Sequence, residues 1–180
     1  MPQHKRFSDY DRYGLVSRAP ASTHRSYPNL QYGFFTMTNA SKDLRKTAAV
    51  EIVPMIPKST SYRELRRYDF PDECKLLWES VQNEVKAVLL SRGIFGRRVK
   101  NPEDYRIEAY RTENTTALKV RDDWLGVAVP LFDRPVPIRF AGADDDQWEP
   151  EDVLYFTETG FKLPGNAATV LYVIFRLEEL

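Results

Sequence analysis

The apolar residues of this chain change period once, near Gly93, and that change constrains the fold more than any other feature of the sequence. Before it, Cys74, Leu77, Trp78, Val81, Val85, Val88 and Leu89 recur at spacings of three and four, which gathers them into one stripe of an amphipathic helix. The flanks agree with a helix over 71–92. Pro71 suits the first turn, Asp72 and Glu73 sit at the positive end of the helix dipole, Arg92 lies in the last turn and Gly93 stops it. After Gly93 the chain breaks into short runs of strand composition: 105–109, 117–121, the nearly all-apolar 124–132, 136–140, 153–157 and 168–177. The run 124–132 is apolar enough to predict a central strand.

The segment before the helix reads less cleanly. Residues 33–38 (GFFTMT) have strand composition, 39–46 break it, and 48–56 predict a second strand ended by Pro54 and Pro57. A short helix is expected over 59–68, capped by Ser59 or Ser61. Residues 1–31 alternate polar, proline and aromatic residues with no period. Such a segment buries too little apolar surface to order itself, so it reads as an extended arm. The expectation is an arm (1–31) followed by one α+β domain (32–180). That domain would be a mainly antiparallel β-sheet packed against one long amphipathic helix.

Length and composition narrow the function. The 180 residues are 42% hydrophobic and 13% aromatic, enough for a real core in one domain. Lys+Arg and Asp+Glu are both 26, so the chain is not a generally basic nucleic-acid binder. The charge is uneven, however. Residues 1–121 carry 22 basic and 14 acidic side chains, a balance of +8, and 122–180 carry 4 and 12, a balance of −8. Opposite faces would favour head-to-tail association of identical copies; the alternative is that the two halves interleave in space. One cysteine, Cys74, leaves no internal disulfide or cysteine-built zinc site and suits a reducing compartment. No run of 18 apolar residues or signal-like leader is present, so a peripheral protein is expected rather than a transmembrane one.

Chemistry-bearing residues are sparse. Both histidines, His4 and His24, fall in the arm, and Cys74 lies on the apolar stripe without a histidine to activate it. No phosphate-binding glycine motif occurs. With no base, nucleophile or metal cluster, neither catalysis nor a cofactor is expected. Arg92, Arg97, Arg98 and Lys100 surround Ile94 and Phe95, a combination that fits an anionic membrane surface or the phosphates of RNA. The acidic loop with Asp144, Asp145, Asp146, Trp148 and Glu149 is a candidate self-association surface, with a divalent cation as the alternative. Tyr27, Pro28 and Leu30 fit a tyrosine-proline-x-leucine linear motif in the accessible arm.

The layout resembles that of a rhabdovirus matrix protein. A basic, tyrosine-containing arm leads through Asn29-Leu30-Gln31-Tyr32 into the aromatic strand Gly33-Phe34-Phe35-Thr36, then a Ser/Thr-Tyr-Arg segment (Ser59 to Arg63), an amphipathic helix and a β-rich C-terminal half. The resemblance implies a non-enzymatic viral structural protein of virion and host cytoplasm. It would self-assemble, bridge the inner face of a membrane to a nucleocapsid, and use Tyr27 to Leu30 as a late motif toward host budding machinery. The other reading is a non-enzymatic RNA-binding accessory protein, with Tyr105 and Tyr110 stacking on bases beside the basic segment 92–121.

Overall fold

The computed structural model describes residues 24–52, 59–61, 65–68, 72–90, 94–112, 117–163 and 168–179. Among them the strands are β1 (His24–Tyr27), β2 (Tyr32–Thr36), β3 (Ser59–Ser61), β4 (Leu65–Tyr68), β5 (Arg97–Val99), β6 (Tyr105–Thr112) and β7 (Ala117–Lys119). They continue with β8 (Trp124–Pro130), β9 (Val136–Phe140), β10 (Asp146–Trp148), β11 (Asp152–Thr157), β12 (Gly160–Lys162) and β13 (Ala168–Glu179). The helices are α1 (Asn39–Ile52) and α2 (Asp72–Val85), the latter continued by a π-helical turn over Lys86–Leu90.

The strands form two sheets with antiparallel pairing. The major sheet runs β1-β2-β11-β8-β13-β6-β4-β3, with β5 also on β13, and the minor sheet runs β10-β9-β12-β7. Side chains alternate across the major sheet with period two. On one face Phe35, Val127, Val129, Val153, Leu171, Val173 and Phe175 pack with the apolar faces of α1 and α2. On the other, Phe34, Ala128, Leu154, Phe156, Val170 and Tyr172 meet the minor sheet. The register makes this possible: Leu154 pairs with Phe34 on β2 and Ala128 on β8, and Ala128 with Tyr172 on β13. The half-barrel therefore has a helix-covered outside and an interior between its sheets.

The antiparallel α+β architecture and the central position of 124–130 agree with the sequence, as does the α2 stripe, where Cys74, Leu77, Trp78, Val81 and Val85 are buried. The single covering helix needs correcting. Residues 39–52, expected as a break and a strand, form a second helix, α1. Its buried positions are Ser41, Arg45, Ala48 and Ile52, a helical spacing with two polar members, so the apolar pattern hides it. At its start the Ser41 N–H donates to the Thr38 hydroxyl, while Glu84 of α2 accepts from the Thr38 N–H at 2.9 Å. The expected helix over 59–68 is replaced by the β3–β4 hairpin pairing. Of the expected arm, 1–23 lie outside the described residues, and 24–27 pair with β2.

Among the described residues, no helix is long and apolar enough to cross a membrane.

Candidate functional site

The basic segment is tied into the domain. Ile94 and Arg97 bridge a two-residue turn whose central residues, Phe95 and Gly96, have φ of 50° and 82°, the signs of a type I′ hairpin turn. The turn packs Ile94, 3% exposed, into the helix-side core and stacks Phe95 on Tyr155 at 5.9 Å. Arg97 pairs with Glu158 at 2.8 Å and Arg98 with Glu178 at 2.8 Å, while Lys100 is exposed. Arg92 lies outside the described residues. The structure thus brings Ile94 and Phe95 under the sheet and spends two of the cations on acidic residues of the C-terminal third.

The acidic run is divided in a comparable way. Trp148 on β10 is fully buried between the sheets and donates its Nε1–H to the Asp152 carbonyl at 2.7 Å. Asp145 pairs bidentately with Arg139, which holds its carboxyl below the ordinary value through that hydrogen bond. Arg25 on β1 reaches Asp146 at 3.6 Å and Asp152 at 3.2 Å. Asp144 and Glu149 are exposed. Ion pairs such as Arg25–Asp152, Lys42–Glu151, Arg97–Glu158 and Arg98–Glu178 join the basic and acidic parts of the sequence, so the two halves interleave.

One cleft gathers several of these residues. Tyr27 ends β1, Pro28–Leu30 form a 3-10 turn, and Gln31 takes a left-handed conformation that returns the chain into β2 at Tyr32. The Leu30 side chain is outside the description. The Tyr32 ring is sandwiched, stacked on Tyr27 at 4.7 Å and on Phe140 at 3.6 Å. Opposite lie Gly142, Ala143, Asp144 and Asp145 of the β9–β10 connection and Asp146 at the start of β10. Together these residues and the two tyrosines enclose a cleft of about 400 Å³, within the size range of small-ligand sites. Burial, with the nearby Asp146 charge, pushes the Tyr32 hydroxyl up to about 12. One Asp146 carboxylate oxygen, Oδ2, is buried without a hydrogen-bond partner, and among the described residues Asp144 has no ion-pair partner. Negative charge beside stacked aromatic faces is the chemistry that attracts cations.

The acidic loop and Tyr27 were visible as separate candidates in the sequence. Their meeting was not, because it depends on β1 folding back on β2 and on the minor sheet closing over them. Arg25, Tyr32 and Arg139, which position the cleft, carry no motif.

The interior between the sheets is filled by rings. Phe161 meets Trp148 edge-on at 5.5 Å and Phe156 edge-on at 5.3 Å, and Phe156 stacks on Tyr172 at 6.1 Å. Gly126 makes room for them, since a Cβ there would lie 2.6 Å from the Phe156 ring and 2.9 Å from Val120.

Comparison with known proteins finds no matching family model and no matching curated protein. Among solved structures, the chain is similar to a prolyl-4-hydroxylase from Pseudomonas putida, with a TM-score of 0.52 and 16% identity over 81% of this chain and 92% of that one. The two share a fold. That neighbour overturns the viral matrix expectation and with it virion assembly and budding; the fold is one that an enzyme also carries. The expectation that the chain is no enzyme is corrected to this extent: its fold is shared with an enzyme.

The neighbour's fold is that of 2-oxoglutarate and Fe(II) oxygenases, whose iron is held by two histidines and one carboxylate. Among the described residues no such set stands together. The chain has two histidines, His4, outside the described residues, and His24 on the edge strand β1, and Leu118, Val120, Phe161 and Leu163 pack into the apolar core between the sheets. Among the described residues no group of three or more His, Cys, Asp or Glu side chains is placed to hold a metal.

Proposed function

We propose that this chain recognises a cationic side chain, a lysine or methylated lysine presented by another polypeptide, in the cleft between Tyr27, Tyr32 and Asp144–Asp146. The observation that carries the reading is the stack of Tyr27 on Tyr32 beside carboxylates that the domain's own cations leave partly unmatched. An ammonium placed there meets the face of Tyr27 that Tyr32 leaves uncovered and a carboxylate together, and a desolvated cation gains most from such a pairing. The polypeptide nature of the ligand is carried over from the neighbour, whose name marks it as acting on prolyl residues. Proline is not carried over, because the acidic side of this cleft selects charge.

Calorimetric titration with a single-lysine peptide and with its trimethyl-lysine and acetyl-lysine forms tests the reading. The two charged forms should bind, and acetylation should weaken binding about tenfold or more, a loss of about 1.4 kcal/mol. Tyr27→Ala and Asp144→Asn should each weaken binding of the charged peptides, and the exposed Asp144→Asn change should leave the melting temperature near that of the parent. Equal binding of the acetylated peptide, or a Tyr27→Ala protein that binds unchanged, overturns the assignment.

A further inference from the structure

A second cavity shares no residue with this cleft. It measures about 370 Å³ and lies where α1 meets the segment after β8, lined by Arg45, Lys46, Ala49, Val50, Leu131, Phe132 and Asp133. Arg45 is 4% exposed, yet its only hydrogen bond among the described residues is the one Nη1 donates to the Phe132 carbonyl, and its Nε–H has no partner. Its nearest acids are engaged elsewhere: Glu151 pairs with Lys42 at 2.5 Å, and Asp133 is exposed, 3.8 Å from Arg134. Burial pulls the Arg45 pKa down, and the charges of Glu151 and Asp133 offset this in part. An ionised guanidinium cannot shed its proton as a buried lysine can. A desolvated charge with no carboxylate bonded to it lowers stability unless something else matches it.

We propose that this cavity binds an aliphatic monocarboxylate, with its carboxylate on Arg45 and its hydrocarbon tail along Ala49, Val50 and Leu131. The guanidinium is a planar donor fork matched to a planar carboxylate. The apolar wall includes Val50, 69% exposed and one of the two large hydrophobic side chains most exposed among the described residues, which a tail would cover. Lys46 at the rim, 3.5 Å from Asp43, adds positive charge, while the repulsion from Asp133 is larger for a dianion such as phosphate than for a monocarboxylate.

The test uses the full chain and hexanoate, with acetate, hexanol and inorganic phosphate as comparisons. Hexanoate should raise the melting temperature saturably, because a ligand that binds the native state alone stabilises it. Acetate should do so much less, and hexanol and phosphate not at all. Arg45→Met should keep or raise the melting temperature without ligand, since it removes an unmatched buried charge, and should weaken hexanoate binding about tenfold or more. Ala49→Phe, which fills the groove and leaves the guanidinium in place, should abolish the hexanoate response with the basal melting temperature retained, so that a misfolded Arg45→Met protein does not decide the matter. No saturable hexanoate response, an equal response to hexanol, or full binding by Ala49→Phe overturns the proposal.

Discussion

Tyr32 and Cys74 show at the residue scale how burial converts into pH dependence. The Tyr32 hydroxyl is pushed up to about 12 by burial and then by Asp146, and the Cys74 thiol is pushed up to about 12 by burial and then by Glu73. Tyr155 and Tyr172 are raised by burial as well. Each of these groups is neutral when protonated, so a raised value means that the folded chain holds the proton more tightly than the unfolded chain. Their contribution to stability is complete below the ordinary values of 9.0 and 10.0 and is lost as pH climbs from there toward about 12. Urea midpoints should therefore fall steadily above about pH 9, and absorbance titration should show tyrosines that ionise only together with unfolding. A midpoint unchanged up to pH 11 would sink this account. The same buried thiol explains why Cys74 was legible from the sequence alone: it lies on an apolar stripe, and the stripe is what the structure buries.

At the scale of elements, legibility followed the apolar pattern and failed where polar residues occupied a buried face. The α2 stripe and the central β8 could be read because nearly every buried position is hydrophobic. α1 could not, because two of its four buried positions are Ser41 and Arg45. Ser41 shares a 2.7 Å hydrogen bond with Ser80 and donates to Glu84 on α2, so the helix packs through hydrogen bonds that no hydrophobicity count detects. β10 was hidden within an acidic run, and β12 within a glycine- and proline-rich connection. Gly126 in β8 joins these elements into one testable unit. A methyl group at this position meets the Phe156 ring and Val120 at distances that no relaxed side chain tolerates, and overpacking a closed interior costs about 1–3 kcal/mol. Gly126→Ala should lower the unfolding free energy from urea titration by that amount, and adding Phe156→Leu, which replaces the ring by a smaller side chain, should restore part of it. A neutral Gly126→Ala would mean that the space between the sheets is open rather than filled.

At the scale of the whole molecule, the uneven charge of the sequence is resolved inside the chain, and Arg25 is the clearest joint. From the edge strand β1 it reaches Asp152 at 3.2 Å and Asp146 at 3.6 Å, and its guanidinium lies 4.7 Å from the Phe34 ring centroid. Asp152 is buried and also accepts from the Thr36 hydroxyl at 2.8 Å, so β1, β2 and β11 meet on one carboxylate. Removing Arg25 leaves that carboxylate with one neutral donor in place of a cation, and breaking a buried pair from one side costs more than the pair contributes. Arg25 itself is about one-third exposed, which screens the interaction and places the expected loss for Arg25→Met at about 1–3 kcal/mol, below that of a fully buried pair. Asp152→Asn should cost less, because the amide oxygen still accepts from Thr36. In the double mutant the two losses should be sub-additive, with a coupling of about 1 kcal/mol, since the second change removes the charge that the first left unmatched. The coupling should persist at 0.5 M salt, where exposed pairs such as Arg134–Asp133 are screened. Strict additivity of Arg25→Met and Asp152→Asn in urea unfolding would show that β1 is held by its backbone pairing alone, and that the opposite charges of the two halves of the chain are not what fastens this edge of the half-barrel.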